Sequence, residues 1–400
     1  MMANDRANGE TLLAFIALAG GKPWAARMVE LAQAMAEGAY ARRALQQRHG
    51  IELALDRLRR GRDRAPTAAQ SCLLEFAAST VALARALSPA GRAALRDQLR
   101  ATLTGEGTLV PLFHLMRTAS LQRRRGFEVR FAGLEERAPF DLLIRRDGTE
   151  AEVVCDVVSA EEGRDVHRGA WVRLVDRIDP DLQAWLAAHP GRYLLKLTLP
   201  RGLRTDPAEQ DQLAALHDRI RAMLAGQRRA DHDAAAVLRL DPLMLVAAQA
   251  DELGLLASLR REFGHEAHLA VTAAGGGVFV MAARAGRENE IAVAVRRRMA
   301  RIAPERLSGT RPGILAMFVE DTDRAEWRHL RDRLELEGEA RQFLTHKDAR
   351  WVVAVTCASR FELLGAAAPA GAADGELRFR NPAHPAARAA ALAPAVLSSI

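Results

Sequence analysis

Residues 139–159 read PFDLLIRRDGTEAEVVCDVVS, and this stretch decides the fold. Asp147-Gly148 marks a two-residue hairpin turn, because that turn needs residues that tolerate positive φ at both central positions. Phe140–Arg145 leads into it as a strand and Ala151–Val158 returns from it. Strand side chains alternate, so Glu152, Val154 and Asp156 project from one face. In a matching register Asp141 faces the same side across the ladder. Three carboxylates gathered on a concave edge suit Mg²⁺ or Mn²⁺, hard cations that favour oxygen ligands.

Upstream of the hairpin, Leu109–Arg125 reads as a helix with Leu112, Leu115, Met116, Ala119 and Leu121 on one broad face. Gly126 sits where a helix C-terminal glycine belongs. Phe127–Phe131 alternates as a strand, and Glu135–Arg137 forms a charged turn. Downstream, Ser159–Arg164 is polar and turn-like. Val166–Ala188 has helical periodicity, with Asp179-Pro180 expected to kink or break it. Tyr193–Leu199 is an apolar strand closed by Pro200 and Gly202. Residues 108–200 therefore predict a helix, three strands, a long helix and a fourth strand.

That order, with carboxylates on the hairpin, resembles the PD-(D/E)xK superfamily of restriction-endonuclease-like nucleases. The resemblance implies an α-β-β-β-α-β core and hydrolysis of a phosphodiester in DNA or RNA. Pro139-Phe140-Asp141 is a loosened form of the family's proline-aspartate pair, which makes Asp141 the first metal ligand. The third strand of the family carries an acid, a spacer and a lysine that orients the attacking water. Here that motif falls on Val154-Cys155-Asp156, losing acid and lysine, or on Glu152-Val153-Val154, keeping the acid alone. The first register is preferred because Val157-Val158-Ser159-Ala160 and the turn 161–164 follow it in the family's manner. The family's helix acid is absent as well, since the helix 109–125 offers only His114 and Gln122.

Lys196, on the fourth strand, is the lysine that would have to take over the missing role, although a lysine on a half-exposed strand usually faces solvent. Arg164, His167 and Arg168 open the long helix, whose N-terminus can hold a phosphate. The carboxylates also have a plain structural reading as polar strand positions, and if buried they require a metal or an arginine as partner. Other motifs are weaker. His265-Glu-Ala-His268 is too closely spaced for a zinc helix, and Ala274–Val278 reads as a hairpin link rather than a phosphate loop. Cys155 reads as a small core residue, and Trp171 and Trp185 as packing rather than base-stacking groups.

The flanks organise around this core. Residues 1–105 predict helices and no strand, broken at Pro23, Pro66 and Pro89, with Ser88-Pro89 fitting an N-cap followed by proline. Residues 205–364 read as mixed α/β, with helices at 207–224, 290–302 and 327–344. Strands are expected at 234–240, 243–247, 268–272, 278–283, 314–319 and 351–356. Residues 365–400 form a low-complexity linker and tail containing a short strand, 377–380. The domain plan is 1–105 helical, 106–204 core, 205–364 C-terminal α/β and 365–400 tail.

Composition narrows the class without naming a substrate. Of 400 residues, 49% are apolar, which supports several globular cores. Cys72, Cys155 and Cys357 are too far apart for a zinc knuckle or disulfide framework, and with no membrane-length apolar run they point to a cytoplasmic protein. A net charge of +7 invites polyanions, yet only Lys22, Lys196 and Lys347 among 57 basic residues are lysine. The runs Arg123–Arg125 and Arg296–Arg298 read first as solvated helix faces. Two functions follow. One is a Mg²⁺- or Mn²⁺-dependent nuclease-like protein acting on or binding DNA or RNA. The other is a catalytically inactive nuclease-fold module that contacts a protein partner through its N-terminal helices.

Overall fold

The computed structural model describes residues 2–61, 67–204, 209–243, 252–264, 266–360 and 376–398. The chain is mixed α/β and divides into two compact units. One comprises residues 1–32, 46–160 and 292–400, the other residues 33–45 and 161–291.

The first unit begins with helices. In chain order these are α1 (Met2–Ala19), α2 (Gly21–Ala34), α3 (Ala39–Arg48, which starts in the second unit), α4 (Gly50–Arg59), α5 (Ala68–Ala86) and α6 (Pro89–Thr102). Thr67 and Gln70 form a reciprocal capping box at the start of α5, and Ser88 caps α6 with Pro89 at its first turn. Phe15, Trp24, Phe76 and Phe113 meet edge to face in a chain of rings. Leu55, Leu95 and Leu99 are fully buried beside them. Leu12, Phe15 and Ala19 of α1 are buried there. Among the described residues no single helix is long and apolar enough to cross a membrane. The proposed break at Pro66 lies outside the described residues.

Next come α7 (Val110–Arg124), β1 (Glu128–Arg130), a short α8 (Ala132–Glu135) leading into the expected turn, where Arg137 has φ +54, β2 (Leu142–Arg146) and β3 (Thr149–Ser159). Gly126 ends α7 with φ +84, and Asp147 and Gly148 turn the hairpin with φ +48 and +76. Arg146 pairs with Thr149 and Leu142 with Val153, so the hairpin register is that of a two-residue turn.

The second unit holds α9 (Arg168–Ala188), β4 (Arg192–Leu199), α10 (Glu209–Ala225), β5 (Ala230–His232), β6 (Val237–Pro242), α11 (Glu252–Phe263), β7 (His268–Ala274) and β8 (Gly277–Ala285). Its sheet runs β5-β6-β4-β8-β7. Leu195, Leu197 and Leu199 of β4 meet Leu174, Ile178 and Leu182 of α9 and Leu216 and Ile220 of α10 on one face. Leu194, Val280 and Leu259 pack on the other. Pro180 does not break α9, because Ile178 and Leu182 on either side of it are both fully buried. Gly275 and Gly276 turn the β7–β8 hairpin. Asp176 caps α3 by accepting from the Tyr40 and Ala41 amides at 3.0 and 2.7 Å. Where the chain enters and leaves this unit, the Glu290 amide donates to the Gly163 carbonyl at 2.7 Å. The starts of the expected helix 207–224 and all but Leu243 of the expected strand 243–247 lie outside the described residues, as does His265.

The first unit resumes with α12 (Ile291–Arg306), β9 (Gly313–Glu320), α13 (Arg324–Asp332), α14 (Glu335–Leu344), β10 (Val352–Ser359) and β11 (Leu377–Arg380). The single helix expected over 327–344 is split by Leu334, whose φ is +59. The sheet order is β1-β2-β3-β9-β10-β11, with β3, β9 and β10 mutually parallel. One expectation is overturned here. Tyr193–Leu199 was to be the fourth strand beside the hairpin, but β4 pairs with β6 and β8, and β3 pairs with β9. The reason is burial. β9 is buried along its length between β3 and β10 and takes the unbroken apolar run of Ile314–Val319, whereas β4 carries Lys196 and Thr198 at half-buried positions.

Candidate functional site

β3 sends Glu152 and Asp156 toward α12 and the loop that follows it, and each acid meets its own partner there. Glu152 is fully buried and accepts from the Ser308 amide at 2.8 Å and from the Ser308 hydroxyl, with Arg311 3.6 Å away. Asp156 receives the Arg298 guanidinium on both oxygens, from Nε and, at 3.1 Å, from Nη2. Bidentate pairing of this kind fixes both groups.

Asp141 stands just before β2, where its amide donates to the Val153 carbonyl. Its Oδ2 accepts from the Cys155 amide at 2.7 Å and its Oδ1 from Arg306 Nη2 at 2.9 Å. Arg306 reaches further, donating from Nε to the Pro139 carbonyl at 3.0 Å and from Nη1 to the Cys155 carbonyl at 3.3 Å. One guanidinium thus ties the head of β2 to the middle of β3. Burial pushes the Asp141 carboxyl up from the ordinary carboxylate range, against the pull of Arg306 and the Cys155 amide. Burial, and then the Asp141 charge, raises the Cys155 thiol well above its usual range, so it stays protonated and fits its reading as a packing residue.

The three acids expected to hold a metal are therefore distributed among Arg306, Arg298 and Ser308. Among the described residues no group of three His, Cys, Asp or Glu side chains is placed to hold a metal ion. The arginines come from α12, whose run Arg296–Arg298 was read as a solvated face. Arg296 pairs with Glu339 and Arg298 with Asp156, so both are engaged by acids. Sequence spacing gave no hint of the Arg298–Asp156 and Arg306–Asp141 pairs, which join positions more than 140 residues apart.

On α7, His114 is fully buried and its Nε2 lies 2.8 Å from the Ala316 carbonyl. Desolvation lowers its pKa to about 4, which keeps the ring neutral. Gln122 is buried on the same helix.

The remaining expected site residues lie in the second unit. Lys196 pairs with Asp241 at 3.3 Å and stands 5.3 Å over the Phe263 ring, so its partner is an acid of its own sheet. The N-terminus of α9, expected to receive a phosphate through Arg164, His167 and Arg168, already holds an anion. Glu161 accepts from the Arg168 amide at 2.8 Å and pairs with the buried Arg164. His167 donates its backbone amide to Leu203. Trp171 is buried in the core, and Trp185 stacks on His189 against it. His268 lies 2.9 Å from the Val166 carbonyl. No protein-family model matches the chain, and neither a curated protein nor a solved structure does.

Proposed function

We propose that the first unit is a PD-(D/E)xK-like core that has exchanged phosphodiester hydrolysis for a binding or assembly role. The element order supports this once residues 161–291 are read as an insertion. α7, β1, β2 and β3 are then followed by α12 and by β9, a strand parallel to β3. The observation that carries the functional half is the Arg306 guanidinium. It bonds the Pro139 carbonyl, the Cys155 carbonyl and the Asp141 carboxylate together, and so holds the place between the two strands that a cation-dependent site would leave for its metal. A fixed positive charge there opposes a divalent cation by like-charge repulsion in a poorly solvated setting. Arg298 does the same at Asp156.

The test is cleavage. Purified protein incubated with Mg²⁺ or Mn²⁺ leaves duplex DNA, single-stranded DNA and RNA intact. Metal-dependent cleavage that disappears in Asp141→Ala would overturn the reading and restore the nuclease.

A further inference from the structure

A cleft of about 390 Å³ opens in the first unit and is lined by Pro304, Leu307, Ser308, Lys347, Arg350 and Trp351 among others. Its volume lies in the range of small-molecule sites, which run from about 300 to 1,000 Å³. Three observations give it chemical character. Trp351 exposes a large apolar ring, 39% accessible, at the start of β10. The Trp351 backbone is fixed, because its carbonyl accepts from the Gly313 amide at 2.7 Å, and the chain passes the edge of the ring at Gly309. A Cβ at Gly309, where φ is +74, would lie 3.1 Å from the indole Nε1. Finally, among the described residues no carboxylate pairs with Lys347 or Arg350, and the Arg350 guanidinium lies 5.4 Å over the indole. The one acid of the lining, Asp348, is turned to His346 at 2.9 Å.

A bare phosphate would use the two cations and leave the indole idle. A neutral aromatic would use the indole and leave the cations unneutralised. A molecule carrying both a flat ring and a phosphate uses everything the cleft offers. We propose that this cleft binds a nucleoside monophosphate, with the base on the Trp351 indole and the phosphate between Lys347 and Arg350. The base displaces the Arg350 guanidinium from the ring face, and that cation then joins Lys347 on the phosphate. Two cations against one carboxylate suit a single phosphate better than three. The proposal does not rest on the carboxylate reading above. It does touch it, because Ser308 both lines the cleft and donates to Glu152.

The experiment is calorimetric titration of the full chain with AMP, adenosine and ribose 5-phosphate. A short 5′-phosphorylated DNA strand serves as a fourth probe. AMP is expected to bind, with adenosine and ribose 5-phosphate each weaker by about tenfold or more. Trp351→Ala loses about tenfold for AMP, in line with base–aromatic stacking, and Trp351→Phe retains most of the affinity. Lys347→Ala, a change at an exposed position that spares the fold, also weakens AMP severalfold. Tighter binding of the strand than of AMP, with the same dependence on Trp351 and Lys347, identifies a strand end as the source of the nucleotide. Weaker binding identifies the free nucleotide. Failure of both AMP and the strand to bind at about 1 mM, or affinities unmoved by both Trp351→Ala and Lys347→Ala, overturns the proposal.

Discussion

Replacing Arg306 by alanine removes three hydrogen bonds at once and strips Asp141 of its cation. Asp141 keeps the Cys155 amide, so its carboxylate is not wholly abandoned. Breaking a buried charge pair costs about 3–5 kcal/mol; with the Arg306 side chain 28% exposed, the lower end, about 3 kcal/mol, is the expected loss. Burial already raises the Asp141 pKa, and losing Arg306 raises it further. An acid with a raised folded-state pKa binds its proton more tightly when folded. Its contribution is present at low pH and is lost as pH rises through the raised value. The Arg306→Ala defect is therefore larger at about pH 8 than at about pH 4, because protonating Asp141 removes the charge that Arg306 offsets. Urea denaturation at both pH values, repeated in an Asp141→Asn background, measures the effect and its coupling. A loss below about 0.5 kcal/mol, within the range of ordinary surface substitutions, would refute the reasoning. So would equal losses at both pH values, or strict additivity with Asp141→Asn.

Glu320 is raised to about 7, first by burial and then by the Asp321 charge, against Arg48 and the Thr108 hydroxyl. Stability is accordingly expected to fall as pH rises from the ordinary carboxylate range through about 7, and Glu320→Gln should flatten that slope in denaturation measured across the window. An unchanged slope in the variant removes Glu320 as its source. Leu95→Ala and Leu99→Ala each empty a fully buried position among the N-terminal helices and should cost about 2–5 kcal/mol by the same assay. Gly163→Ala places a Cβ 2.5 Å from the Ile291 Cα and should destabilise the second unit. The cost should be about 1–3 kcal/mol, read as faster hydrogen exchange over residues 161–291. Wild-type exchange there would show that the chain yields at no cost.

Local chemistry was legible in the sequence wherever a residue type has one conformational job. Asp147-Gly148, Gly126 and Ser88-Pro89 each announced the turn, stop or cap that the structure contains. The hairpin register followed from the turn, and with it the common face of Glu152 and Asp156. Partner choice between distant strands was harder to read. β4 and β9 both look like strands, and only the unbroken apolar run of Ile314–Val319 marks β9 as the one buried on both faces beside β3. The arginine partners of the carboxylates were invisible for a related reason. Arg298 and Arg306 sit on a helix far along the chain, and in a sequence so rich in arginine nothing distinguishes a guanidinium that faces a carboxylate from one that faces water. The rule that a buried acid needs a partner did anticipate one of the two possible answers, an arginine.

The hydrogen bond from Glu290 to Gly163 has a consequence for how the chain acquires its fold. β3 and β9 pair side by side although Glu152 and Gly313 are roughly 160 residues apart, a separation that makes loop closure slow and costly. Once residues 161–291 have formed their own sheet and brought their two ends together, the loop left to close is only about 35 residues long. By the logarithmic dependence of closure entropy on length, that shortening is worth roughly 1.4 kcal/mol, about a tenfold gain in the rate of pairing if the cost falls in the transition state. The second unit then acts as a kinetic splint. It should gain exchange protection before β9 docks, and pulse-labelling during refolding would record that order.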